Sequence, residues 1–232
     1  MESKYSLTNE EIDDLVEIAS KKYRSPIDRD ILNPLLNMVY GTVEQHKRIL
    51  VIRTDLRFAQ SHVPGEPDLP LCFQRDDAQA ITRSFESLKS QLRADHNRSR
   101  RPGNPTLPSY GWCRERDTSV HPHYHLMLLF NRDIYGYLGN YQELDAANMA
   151  IRIQKAWCSA IGLAHEDYAT LAEFPPNAVY RFSRFDALDR NPVYWSFLIR
   201  LAYLAKTRTK DVHSGYRNFG TSQCPRLGGL AS

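Results

Sequence analysis

The chain has 232 residues, 42% hydrophobic and 25% charged, enough for one full core without disulfide or metal staples. A net charge of +3 excludes global electrostatics as a source of nucleic-acid affinity, which would have to come from local clusters. No apolar run approaches the ~20 residues that span a bilayer, no basic-then-apolar signal segment opens the chain, and Cys72, Cys113, Cys158 and Cys224 form no CxxC; a reduced, cytoplasmic protein with no membrane partner is expected.

The first predicted element is a helix capped by Thr8, with Glu10 and Glu11 in its first turn and Ile12, Leu15, Val16 and Ala19 at helical spacing. A second short helix is expected from Asp28 to about Val39, with Ile31, Leu35 and Leu36 inward. Neither carries a reactive group, so residues 1–45 read as an N-terminal helical extension, structural or DNA-steering. Arg48 to Phe58 is rich in β-branched residues, alternates after Ile52, and reads as a strand. Pro64, Pro67 and Pro70 open a loop, after which Gln74 to Asp95 forms an amphipathic helix with Ala78, Ile81, Phe85, Leu88 and Leu92 on one face. Asn97 to Pro108, carrying Arg98, Arg100 and Arg101, reads as a basic loop suited to DNA phosphates.

Tyr110 to Arg116 and His121 to Phe130 are two strands expected to form an antiparallel hairpin. A helix from Asp145 to Gly162 follows, with Met149, Ile153, Trp157 and Ile161 along one side, then a short strand from Ala178 to Phe182. A last helix is predicted from Pro192 to about Arg208, and the chain beyond is expected to be loose. This order describes an α+β domain over residues 46–212 with a mainly antiparallel sheet, followed by a tail, 213–232. No GxxxxGK[ST] is present, so no ATP-driven helicase is built in.

The strongest chemical signal is His121-Pro122-His123-Tyr124-His125, followed by an apolar run to Phe130. Strand side chains alternate faces, so His123 and His125 project together and could share a divalent ion at ~2.0–2.1 Å. His121 has the same parity, but Pro122 restrains it and places it at the rim. The hairpin partner offers Glu115 as a third ligand, with Asp117 and His121 as alternatives. Two imidazoles and a carboxylate leave positions open for a phosphate oxygen, and the N/O donor set suits Mg²⁺ or Mn²⁺.

The second signal is Tyr203-Leu204-Ala205-Lys206. Residues three apart on a helix share a face, so Tyr203 and Lys206 could act on one group. A phenol of unperturbed pKa ~10 is a weak nucleophile, and a metal-polarised phosphodiester with a neighbouring ammonium would make its attack feasible. Tyr194 precedes Tyr203 by half a turn more than two full ones and faces away, which leaves one nucleophile. Arg200, Arg208, Lys210 and Arg217 against Asp211 supply a local basic excess for DNA.

His123-Tyr124-His125 resembles the His-hydrophobic-His motif of rolling-circle replication initiators, relaxases and related transposases. Tyr203-Leu204-Ala205-Lys206 resembles the nucleophile motif of the initiator branch, and Ile49 to Asp55 the strand that precedes both. Over Arg48 to Lys210 the wording is most similar to the filamentous-phage (inovirus) replication initiator family and its prophage relatives. The resemblance implies a five-stranded antiparallel sheet of ferredoxin-like type, bound Mg²⁺ or Mn²⁺, and site-specific nicking of single-stranded origin DNA. It also implies a host helicase as partner and a 5′-phosphotyrosyl intermediate. On it, His123, His125 and Glu115 would be ligands, Tyr203 the nucleophile and Lys206 its helper. Two readings compete: a non-catalytic DNA-binding regulator, and a metal phosphodiesterase with water as nucleophile.

Overall fold

Nine-residue strand β1 (Arg48–Leu56) is the spine of the molecule, and the order of elements around it follows from which of its faces and edges each one covers. The computed structural model describes residues 3–59, 73–116, 121–208 and 217–223. Before β1 come helices α1 (Asn9–Tyr23) and α2 (Arg29–Gln45); after it come α3 (Ala80–Arg98), β2 (Ser109–Glu115), β3 (His123–Asn131) and α4 (Met149–Ile161). The chain continues through α5 (His165–Tyr168), β4 (Ala172–Glu173), β5 (Val179–Ser183), α6 (Arg184–Leu188), α7 (Pro192–Ala202), a 3-10 turn at Tyr203–Ala205, and β6 (Phe219–Thr221).

Helix α1 starts where the sequence says it should: Thr8 Oγ1 accepts from the Glu11 N–H at 3.1 Å while Glu11 Oε2 accepts from the Thr8 N–H at 2.8 Å. Helix α2 runs past the expected stop near Val39 because Tyr40 and Val43 are buried and Thr42 returns its hydroxyl to the Met38 carbonyl at 2.8 Å. Tertiary burial there outweighs the weak local signals.

All strand pairings are antiparallel, in the order β4-β1-β3-β2-β6 with β5 also on β1. One edge of β1 faces β3 from Ile49 to Leu56; the other takes β5 over Arg48–Ile52 and β4 over Asp55–Leu56. Six strands therefore fill five positions, and the fold is the α+β arrangement with a central antiparallel sheet that the sequence implied. Strand β6 corrects the expectation of a loose tail over its described part. Phe219–Thr221 covers the open edge of β2, and Gly220 lies so close to Trp112 that a Cβ would come within 2.6 Å of the indole Nε1. A three-residue polar strand leaves no periodic pattern to read.

Alternation along the strands divides the core in two. Ile49, Val51, Cys113, Met127, Leu129 and Phe182 face α1, α2 and α7. Leu50, Ile52, Trp112, Tyr124, Leu126, Leu128 and Phe130 face α3 and α4, with Trp157 fully buried. The helices expected as an extension over residues 1–45 thus share one core with α7 and the inner sheet face. Cys113 and Cys158 are free and buried; Cys72 and Cys224 lie outside the described residues. No described helix is long and apolar enough to cross a membrane.

Candidate active site

β1 and β2 end, and β3 begins, at the same end of the sheet. Register then does the assembly: Glu115 is opposite His123, and His125 is flanked by Cys113 on one side and Asp55 on the other. Cross-strand partners point to the same face, so these side chains converge beneath the Tyr203–Ala205 turn. The potential ligand atoms of Glu115, His123 and His125 all lie within 4.8 Å of one another.

Their spacing passes a direct test of fit. The Nε2 atoms of His123 and His125 face each other across 3.2 Å, and His125 Nε2 is 3.3 Å from Glu115 Oε2. Two ligands ~2.1 Å from one ion lie roughly 3.0–3.4 Å apart in octahedral or tetrahedral geometry. His125 Nδ1 is 2.7 Å from Asp55 Oδ1. A carboxylate oxygen only accepts, so Nδ1 carries the proton and Nε2 turns its lone pair inward, the orientation that ligating histidines need.

Both carboxylates are buried, Asp55 at 5% exposure and Glu115 at 1%, and both are compensated. Arg53 lies 3.1 Å from Asp55 Oδ2, and Lys206 Nζ lies 3.0 Å from Glu115 Oε2. Burial pushes the Asp55 carboxyl up, but the His125 bond and Arg53 outweigh it and the net direction is down. Burial disfavours protonation of His123, and the neighbouring His125 lowers it further. His125 moves the other way: burial opposes its protonation, while Asp55 and Glu115 more than offset that. In the ion-free arrangement a proton is drawn to the place a cation would take.

Tyr203 Oη is 3.4 Å from His125 Nε2 and 2.6 Å from Lys206 Nζ. Its ring meets Tyr23 and His125 edge-on at 5.1 and 5.0 Å, with Arg53 over its face at 5.7 Å. Burial pushes the phenol pKa up, and the Lys206 ammonium pulls against that. The expected helix through Arg208 is corrected here: α7 ends at Ala202, and Lys206 is extended, bridging to Ile27. The Ala205 carbonyl accepts from the Asp28 N–H at 2.8 Å, and the Thr207 N–H reaches the Pro26 carbonyl at 3.1 Å, which pulls the chain out of the helix. In a 3-10 turn, side chains three apart eclipse, so the tighter geometry seats ammonium on hydroxyl.

Among the other site candidates, His121 stays outside the cluster. The strand starts at His123, and His121 lies 3.2 Å from Asp76 and packs on Phe58 in the opposite core layer. Asp117 and Lys210 lie outside the described residues. Arg98 and Arg101 pair with Asp95 at 3.9 and 3.4 Å, and with Arg100 they precede the Ser109 end of β2. That is roughly 20 Å of strand from Glu115 at ~3.3 Å per residue, so the structure does not bring them to the site. Arg200, one turn before Tyr203, lies over the Tyr23 ring at 6.0 Å, and Arg208 is exposed just past Lys206. Tyr194 is fully buried and turned into the core, its hydroxyl pushed far up by burial.

Asp55 and Arg53 were missed from the sequence. The signal was present: two charges two residues apart inside an apolar strand must share a face, the parity argument applied to His123 and His125.

The YagK/YfjJ C-terminal domain family matches residues 8–222. Uncharacterized protein YagK of Escherichia coli (strain K12) is 35% identical over 182 residues, 77% of this chain and 85% of its own length. Uncharacterized protein YfjJ of the same strain is 34% identical over 194 residues, 80% of this chain and 90% of its own. No solved structure matches the chain. With the match running from the cap of α1 through β6 and enclosing the whole candidate site, the chain belongs to the YagK/YfjJ C-terminal domain family.

Proposed function

We propose that this protein is a metal-dependent single-strand DNA endonuclease of the His-hydrophobic-His class that nicks with Tyr203. The observation that carries the reading is one phenol, one ammonium, two imidazoles and a carboxylate joined by contacts of 2.6 to 3.4 Å. His123, His125 and Glu115 would hold Mg²⁺ or Mn²⁺. A divalent ion there supplies Lewis acidity toward a phosphodiester and offsets charge on the leaving oxygen.

The chain's residues supply the rest. Tyr203 Oη attacks phosphorus, forming Oη–P as the P–O3′ bond breaks. The phenol gives up one proton and the leaving 3′ oxygen gains one, so no water or co-reactant is consumed. One phosphodiester replaces another, which lets the free 3′ hydroxyl reverse the step and reseal the nick. Lys206 stabilises the phenolate as it forms: burial lowers the ammonium's proton affinity, but Tyr203 and Glu115 raise it above the ordinary lysine value. Asp55 holds His125 in place. The reading extends to initiation of rolling-circle replication in a bacterial cytoplasm, with unwinding by a host helicase.

The test is incubation with labelled single-stranded oligonucleotides and Mn²⁺, resolved on a denaturing gel. A retarded covalent band is expected, absent in Tyr203→Phe, with EDTA, and in the His123→Ala/His125→Ala pair. Cleavage without an adduct would instead make water the nucleophile, and duplex binding without cleavage would leave a binding module.

A further inference from the structure

Beside the site, at the outer edge of β4, lies a cavity of about 480 Å³, within the ~300–1,000 Å³ span of small-molecule sites. It shares a wall with the candidate centre: Glu173, one of its lining residues, is the register partner of Asp55, which is the partner of His125. Those backbones are two inter-strand steps apart, roughly 10 Å. A strand bound at His123 and His125 has its neighbouring nucleotides within reach of the opening.

The lining is one-sided in its chemistry. Tyr141, 44% exposed, and buried Phe174 form an aromatic wall with ring centroids 5.5 Å apart. Glu166, Asp167 and Glu173 stand exposed at the rim, and their carboxylates accept hydrogen bonds only. Deeper in, Gln154 is 3% exposed; its Nε2 donates to the Tyr141 carbonyl at 3.2 Å, which fixes the amide, and its Oε1 is buried with no partner among the described residues. An orphaned buried acceptor is costly until something donates to it. No lysine, arginine or histidine lines the cavity among the described residues.

From the aromatic wall, the orphaned Gln154 oxygen and the shared Glu173 edge, we infer that this cavity is a base subsite for the nicked strand, taking a nucleobase with an exocyclic amino group. The ligand must have a flat face to stack and N–H groups to give. Adenine, cytosine and guanine present such amino groups; thymine presents O4 and a methyl group. A neutral ring suits the apolar floor, where a full cation would stay out among the water-screened rim carboxylates. This subsite rests on the nicking reading, and its test is separable from it.

The experiment is NMR titration of the whole chain with each of the four 2′-deoxynucleosides. Deoxyadenosine, deoxycytidine and deoxyguanosine are expected to shift the Gln154 side-chain amide, with thymidine weaker by about fivefold, the worth of one hydrogen bond. Gln154→Met should erase that preference. Tyr141→Ala, at an exposed position, should weaken all four together and stands in if the Gln154 variant does not fold. Equal affinity for the four, no binding, or a preference that survives Gln154→Met would overturn the inference even where the Tyr203 adduct forms on the gel. Amino preference without any adduct would keep a base site and remove its link to nicking.

Discussion

Asp55 touches neither the phenol nor the place an ion would take, yet it decides which way His125 points. Replacing it with Asn keeps the shape but removes the charge that holds Nδ1–H. Mn²⁺ affinity, read by calorimetry, is expected to fall about 10–100-fold with the fold retained, the usual cost of losing an outer-shell partner. Lys206 has two partners, Tyr203 Oη and Glu115 Oε2, and competes with a cation for the second. Lys206→Met should therefore slow adduct formation by about 10²-fold while leaving Mn²⁺ affinity equal or tighter; weakened Mn²⁺ binding would show that the ammonium organises the ligands instead. His123, His125, Glu115, Tyr203 and Lys206 were legible because side-chain parity and spacing are local properties. His121 was placed at the rim for the right cause, Pro122. Asp55 escaped because it needs a third strand alongside, and pairing of β1 with β3 is not encoded in any one segment.

Among the elements, β2 meets α2 closely only because residue 111 is glycine: a Cβ there would collide with Leu35 Cδ2 and crowd Met38. Gly111→Ala should cost about 1–3 kcal/mol in urea unfolding, the scale of overpacking a filled core. Helix α1 is pinned by Glu11, which pairs with Arg190 at 2.7 Å. The Arg190 hydrogen bond holds the Glu11 carboxyl below its ordinary value against the effect of burial. A depressed carboxylate contributes stability above its unfolded pKa near 4.5 and loses it as pH falls through the lower folded value. Wild type should thus lose part of its margin below about pH 4.5, and Glu11→Gln should flatten that slope in denaturation curves taken across pH. The long periodic segments, α1, β1, α3, β2, β3, α4 and α7, stood out in the sequence. The two-residue β4 and three-residue β6 did not, because short edge strands are specified by the neighbours they cover.

At the scale of the whole molecule, the site lies in the seam between the inner sheet face and a helical layer that includes the chain's first helices. Tyr23, the last residue of α1, touches the Tyr203 ring, and the linker from Ser25 to Asp28 holds the turn that carries Lys206. Removing residues 1–45 uncovers Leu35, Leu36, Val39 and their apolar partners on the sheet. The truncated chain should show no cooperative unfolding transition. A soluble, cooperative fragment with intact Mn²⁺ binding would mean that these helices are an appendage after all. The central claim can be read most directly from the protein itself. Trypsin cuts after Arg200 and Lys206, releasing Leu201–Lys206 with Tyr203 as its single tyrosine. After reaction with single-stranded DNA and Mn²⁺ and nuclease trimming, mass spectrometry should find a nucleotide on that peptide. Cleaved DNA with an unmodified Leu201–Lys206 peptide, or a nucleotide on the peptide bearing Tyr194, would contradict the account.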